Sequence, residues 1–83
     1  MLAVSPNQAV SRVSFQISTP MVANLKIFDV SGRLVIAENL NAGSQTITWN
    51  CRDSRNSLIS NGVYFVRLET DAGSISEKLI ITR

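Results

Sequence analysis

The six carboxylates of the sequence, Asp29, Glu38, Asp53, Glu69, Asp71 and Glu77, are where acid–base chemistry would have to reside. They are spread over different stretches of chain, and no pair has a spacing that sets a general acid against a base across one bond. Serines are plentiful, but there is no histidine to act as general base and no Gly-x-Ser-x-Gly elbow to present a nucleophile. Cys51 is the only cysteine. With no histidine to activate it, its thiol reads as a small buried or half-buried side chain rather than a nucleophile, and an internal disulfide is impossible. The missing histidines also remove the usual zinc ligand sets. Gly62 has no companion glycines and precedes a strand rather than a helix, so a phosphate-cradling loop is not expected.

Two weaker chemical readings remain. Asn50, Asp53, Ser54 and Asn56 offer oxygens within one loop and could hold Ca²⁺, although such residues far more often cap turns through local side-chain to backbone bonds. Trp49 could be a sugar-stacking platform, but it shares a face with Ile47, which favours a core aromatic. Tyr64 reads as a core ring whose hydroxyl seeks a backbone partner. No catalytic residue, metal or cofactor is therefore expected, and the chain is not read as an enzyme.

The elements that position these residues are short and extended. In 83 residues, 45% apolar and 17% charged, there is room for one modest core and too much apolar content for a disordered tail. One domain over residues 1–83 is expected. The net charge of +2 comes from scattered lysines and arginines that form no phosphate-tracking stripe, so no nucleic-acid partner is implied. No stretch approaches the ~20 apolar residues of a membrane span, and the N-terminus lacks the layout of a signal peptide, so any export address lies elsewhere. Met1 reads as an initiator placed before an excised domain.

Alternation with period two runs through the chain, and helical spacing is never sustained. Val13, Phe15 and Ile17 face one way within 12–18, as do Leu25 and Ile27 within 24–30. A turn at Asp29-Val30-Ser31-Gly32 follows, with Gly32 supplying positive φ and Asp29 hydrogen-bonding the turn backbone. The return strand over 33–38 is apolar on both faces, so its orientation cannot be read. Ala42-Gly43 marks another turn before the strand over 45–49. The loop over 50–62 is polar except for Leu58 and Ile59, which are expected to tuck it onto the core. Along 63–70, Tyr64, Val66 and Leu68 face inward and Phe65, Arg67 and Glu69 outward. Asp71-Ala72-Gly73 then turns into a last strand over 74–82, with Leu79 and Ile81 completing the core. The pattern predicts an all-β, immunoglobulin-like antiparallel sandwich of about six to seven short strands.

Ser5-Pro6-Asn7, then Leu25-Lys26-Ile27-Phe28-Asp29-Val30-Ser31-Gly32-Arg33, Ile47-Thr48-Trp49-Asn50 and Ser60-Asn61-Gly62-Val63-Tyr64-Phe65-Val66-Arg67-Leu68 together resemble the C-terminal sorting domain of the type IX (Por) secretion system. The related Ig-like domain of the flagellar hook-capping protein is similar too. The resemblance spans about Val4 to Arg83. It departs at Gln8, where the family commonly has a second proline, and at Asn50-Cys51, where it often has Asp-Gly. It implies a sandwich at the end of a larger secreted protein, bearing no active site. The outer-membrane secretion machinery would recognise it on the way from the periplasm to the cell surface or exterior, with the N-terminal cargo domain as its other partner and no membrane insertion. The matching positions are Pro6, Asn7, Gly32, Gly62, Tyr64 and the terminal Lys78, Leu79, Ile80, Ile81, Thr82 and Arg83. A structural Ig-like spacer of an extracellular enzyme or surface protein is the alternative.

Overall fold

The computed structural model describes residues 2–5, 8–9 and 12–82, the first two segments by their backbone alone. The elements are β1 (Leu2–Ser5), β2 (Gln8–Ala9), β3 (Val13–Thr19), β4 (Ala23–Asp29), β5 (Leu34–Leu40), β6 (Gly43–Trp49), β7 (Gly62–Thr70) and β8 (Gly73–Ile81), with no helix among the described residues. The six long strands fall on the six segments read as strands in the sequence. The two short ones, β1 and β2, precede them in a stretch too brief to show a period.

Two sheets pack face to face in a sandwich. One has the order β1-β3-β6, the other β2-β8-β7-β4-β5. All neighbours run antiparallel except β2, which lies parallel to β8 through Gln8↔Ile80 and Ala9↔Ile81. The inward residues are those the alternation selects: Val13, Phe15 and Ile17 on β3, Leu25 and Ile27 on β4, Tyr64, Val66 and Leu68 on β7, and Leu79 and Ile81 on β8, all buried. Trp49 also lies in this core at 5% exposure, which settles its role as a packing aromatic. Each fully buried aliphatic or aromatic side chain is worth about 1.5–3 kcal/mol of transfer free energy, which makes this core the main favourable contribution set against chain entropy.

The ambiguous return strand has a physical explanation. Ile27 stands opposite Ile36 and Phe28 opposite Leu34, so Val35 is an extra residue and β5 is bulged there. A bulge lets consecutive residues turn toward the same face. Val35 is accordingly buried, Ile36 is half-buried against the core, and Leu34 and Ala37 are exposed. The strict alternation that orients the other strands fails at this point.

The five-stranded sheet is wider than its partner, so inward positions on its outer strands go uncovered. Ile75 and Glu77 stand opposite inward Leu68 and Val66, and Glu38 opposite inward Leu25, yet all three are exposed. Short connections fix the two ends of the sandwich. Residues 20–22 join β3 to β4, and 41–42 carry the chain from one sheet to the other between β5 and β6, both at one end. The opposite end holds the 29–33 turn, the 50–61 loop and the C-terminal end of β8.

Candidate functional site

The end where β8 finishes carries two turns built on one plan. In the β4–β5 turn, Asp29 N–H donates to Arg33 O (2.9 Å) and Gly32 N–H to Asp29 O (3.0 Å). Asp29 Oδ1 accepts the amides of Ser31 (3.0 Å) and Arg33 (2.9 Å). In the loop that follows β6, Asp53 N–H donates to Ser57 O and Asn56 N–H to Asp53 O, both at 2.9 Å. Asp53 Oδ1 accepts the amides of Arg55 (2.9 Å) and Ser57 (3.0 Å). The fourth residue of each turn needs a left-handed backbone: Gly32 has φ 91° and Asn56 φ 64°. Glycine and asparagine are the two residues that tolerate this best.

The sequence located the first turn outright, and for the second it favoured turn capping at Asp53 without locating the turn or its left-handed residue. The signal was present as Asp-x-x-Asn-x, a turn motif with asparagine in glycine's place. The Asp53 carboxylate thus caps its own turn, and among the described residues no group of three or more acidic or cysteine side chains gathers to hold a metal. The same loop carries a correction. Ile59 is buried at 8%, but Leu58 is half out in solvent at 50%. A bridge between Arg52 and Leu58 and the Ile59 N–H to Cys51 O bond (3.0 Å) hold the loop's base, so of these two neighbours only Ile59 turns onto the core.

Beneath the loop, the Tyr64 ring is buried and its hydroxyl donates to Ser60 O at 2.7 Å, the geometry of a tyrosine corner. Trp49 Nε1–H donates to Arg52 O at 2.9 Å. Cys51 is fully buried with φ 60°. Glycine takes such a left-handed position most readily, and the resemblance drawn from the sequence expects Asp-Gly at Asn50-Cys51.

The described residues among the others singled out from the sequence fall in or near this end. Gly62 opens β7 opposite Ile81 with φ 155°, a value that side-chain-bearing residues disfavour. Tyr64 stands opposite Leu79 and opposite Asp29 on its other side, bringing the Gly32 turn alongside. Leu79 and Ile81 are fully buried; Ile80 is half-buried on the outer face opposite Val63. Lys78 is exposed opposite Phe65 on that outer face, and Thr82 is exposed just past the strand. Pro6, Asn7 and Arg83, like Met1, lie outside the described residues.

Charge at this end is locally balanced. Asp29 is held below the ordinary aspartate range, first by the Ser31 hydroxyl (2.6 Å), then by the Arg33 amide. Arg33 Nε approaches its other oxygen at 3.3 Å. Further up the outer face, Glu69 receives Lys26 at 2.8 Å and Arg67 at 3.1 Å, and its carboxyl is lowered by Lys26 first and Arg67 second. The Arg67 guanidinium also lies 4.8 Å from the Phe28 ring centre, a cation–π contact.

Comparison with known proteins places this geometry. The sequence model of the secretion system C-terminal sorting domain matches residues 3–82. Among solved structures, PorZ of Porphyromonas gingivalis, described as an essential surface component of its type-IX secretion system, superposes with a TM-score of 0.75 at 21% identity. That match covers 99% of this chain and 11% of PorZ. Dimeric latent PorU from the same organism gives 0.76 at 20% identity, covering 98% of this chain and 9% of PorU. FlgD from P. aeruginosa gives 0.53 at 20% identity, over 84% of this chain and 63% of that one. The chain therefore spans about a tenth of the PorZ and PorU chains, and at these identities the likeness is one of fold. No curated protein sequence matches significantly.

Proposed function

This chain belongs to the family of secretion system C-terminal sorting domains, and on that premise we propose that it sends a larger protein through the type IX route, by way of the periplasm, to the cell surface or exterior. The match over residues 3–82 carries this reading. The arrangement of β8 supports it. Leu79 and Ile81 anchor the strand in the core while Lys78 and Thr82 remain at the surface, so a receptor in the outer-membrane machinery can read the terminal residues without unfolding the module.

Within this reading residues 1–83 act as one unit, and its other partner is the cargo domain of the parent protein. The module is read as contributing no chemistry: among the described residues Asp29 and Asp53 cap their own turns and Glu69 sits between two cations, and the sequence has no histidine to serve as a base. Gly32, Gly62 and Tyr64 serve recognition indirectly, by fixing the end of the sandwich from which the terminal residues project. Pro6 and Asn7 belong to the same proposal through the family pattern.

A periplasmic reporter fused ahead of this domain, in a host that has the type IX system, tests the proposal. The intact fusion is expected at the cell surface, and Lys78→Glu with Arg83→Glu is expected to lower surface display while the purified domain melts as before. An intact fusion that stays in the periplasm, folded and unproteolysed, overturns the reading in favour of a spacer.

A further inference from the structure

The two Asp-capped turns are the walls of a cleft of about 650 Å³ at the β8 end of the sandwich. We infer that this cleft is a docking groove for an extended peptide segment that combines acidic and aliphatic side chains. Six large apolar side chains are exposed among the described residues, and three of them, Val30 (75%), Leu34 (49%) and Leu58 (50%), line this cleft. Exposed apolar side chains gathered in one concavity mark a binding surface in a way that scattered ones do not.

The lining carries two aspartates and two arginines and no net formal charge, but the groups left to meet a visitor are the guanidiniums. Each carboxylate is turned onto its own backbone amides, and Asp29 is further covered by Arg33 Nε. Arg33 and Arg55 line the cleft. The Arg33 side chain is 83% exposed, and among the described residues Arg55 makes no ion pair. Guanidinium groups with unused donors suit carboxylates, which they engage through paired hydrogen bonds. The walls are held by paired backbone bonds rather than left as mobile loops, so little ordering entropy is lost on binding. A lipid surface fits less well, because the apolar residues line a concavity between two walls instead of a convex patch. The inference concerns the cleft alone and does not depend on the export route.

The test is a selection of short random peptides displayed on phage against the immobilised domain, with an unrelated protein as counter-bait. Enriched sequences are expected to combine Asp or Glu with Leu, Ile or Val. A synthetic peptide of the enriched sequence is expected to shift the amide resonances of residues 30–35 and 53–62. Its affinity should fall several-fold as salt is raised from about 50 to about 500 mM. Arg33→Gln with Arg55→Gln should weaken it roughly tenfold, leaving the turns intact because their bonds come from backbone amides and the aspartates. Leu58→Ser should weaken it with little change in salt dependence. The inference is overturned by no enrichment, by enrichment of basic sequences, by resonance shifts confined to the outer face around Phe28 and Phe65, or by anionic phosphatidylglycerol vesicles shifting the cleft amides when the peptides do not.

Discussion

Tyr64 reaches back along the chain to Ser60, its hydroxyl 2.7 Å from that carbonyl oxygen, and so ties the start of β7 to the loop that precedes it. One side chain thereby does two separable things: its ring fills the core and its hydroxyl satisfies a part-buried backbone acceptor.

Those two contributions can be measured apart. Tyr64→Phe keeps the ring and should cost about 0.5–1.5 kcal/mol in urea unfolding, the net worth of one hydrogen bond. Tyr64→Ala should cost about 3–5 kcal/mol, much of the stability of a domain this small. Equal losses in the two variants would mean that the hydroxyl, not the ring, carries the site.

Trp49 and Phe65 provide a test of which faces are inward. Trp49→Ala empties a buried site and leaves the Arg52 carbonyl without its indole donor, so a loss of about 3–5 kcal/mol is expected. Phe65, 39% exposed, should cost far less. A greater loss for Phe65→Ala would put the register of β7 off by one residue.

Acid should destabilise the fold through Asp29 and Glu69. Both carboxyls are lowered in the native state, Asp29 chiefly by the Ser31 hydroxyl and Glu69 chiefly by Lys26. The unfolded chain then takes up protons more readily than the native one. Their contribution is complete above the ordinary carboxylate pKa of about 4 and disappears as the pH falls through the depressed native values. Melting followed from about pH 7 to about pH 2 should show this decline, and Asp29→Asn or Glu69→Gln should each flatten it. An unchanged slope in both variants would assign the acid limb to other groups.

At Cys51 the backbone should outweigh packing. Valine fills a buried site better than alanine, but a β-branched residue is poorly suited to φ 60°. Cys51→Val should therefore cost more than Cys51→Ala, by on the order of 1–3 kcal/mol. The opposite order would show that volume dominates there. Reducing agent should leave the melting of the monomer unchanged, since the only thiol in the chain is buried.

How much of this could be read in the sequence depended on whether a segment kept strict alternation. Val13, Phe15 and Ile17, or Tyr64, Val66 and Leu68, declare their faces because every second residue is apolar, and the structure buries those residues. The β5 run Leu34-Val35-Ile36-Ala37 was illegible because the bulge at Val35 breaks the two-residue period that such reading relies on. β1 and β2 were invisible for a different reason: four and two residues are too few to display a period, and their pairing is set by strands far along the chain. The Asp29 turn was placed by its glycine, whereas at Asp53 the capping role was legible but the turn's position was not, because asparagine takes the glycine's role there. Leu58 and Ile59 looked equivalent because adjacency in a loop does not say which of two side chains the local hydrogen bonds will turn inward.

The placement of β1 and β8 has a mechanical consequence. Leu2 lies opposite Ile17, toward the end of the sandwich where β3 finishes, while Ile81 lies opposite Gly62 at the other end. Tension applied between Leu2 and Ile81 would draw β1 along β3 and β8 along β7, parallel to the strand axes. The ladder hydrogen bonds then share the load and must yield together, whereas a strand peeled from its edge loses them one at a time. Resistance to pulling is governed by the rate of unfolding rather than by equilibrium stability. A module of modest thermodynamic stability can therefore hold its shape under axial tension that would unravel a hairpin pulled from its open end.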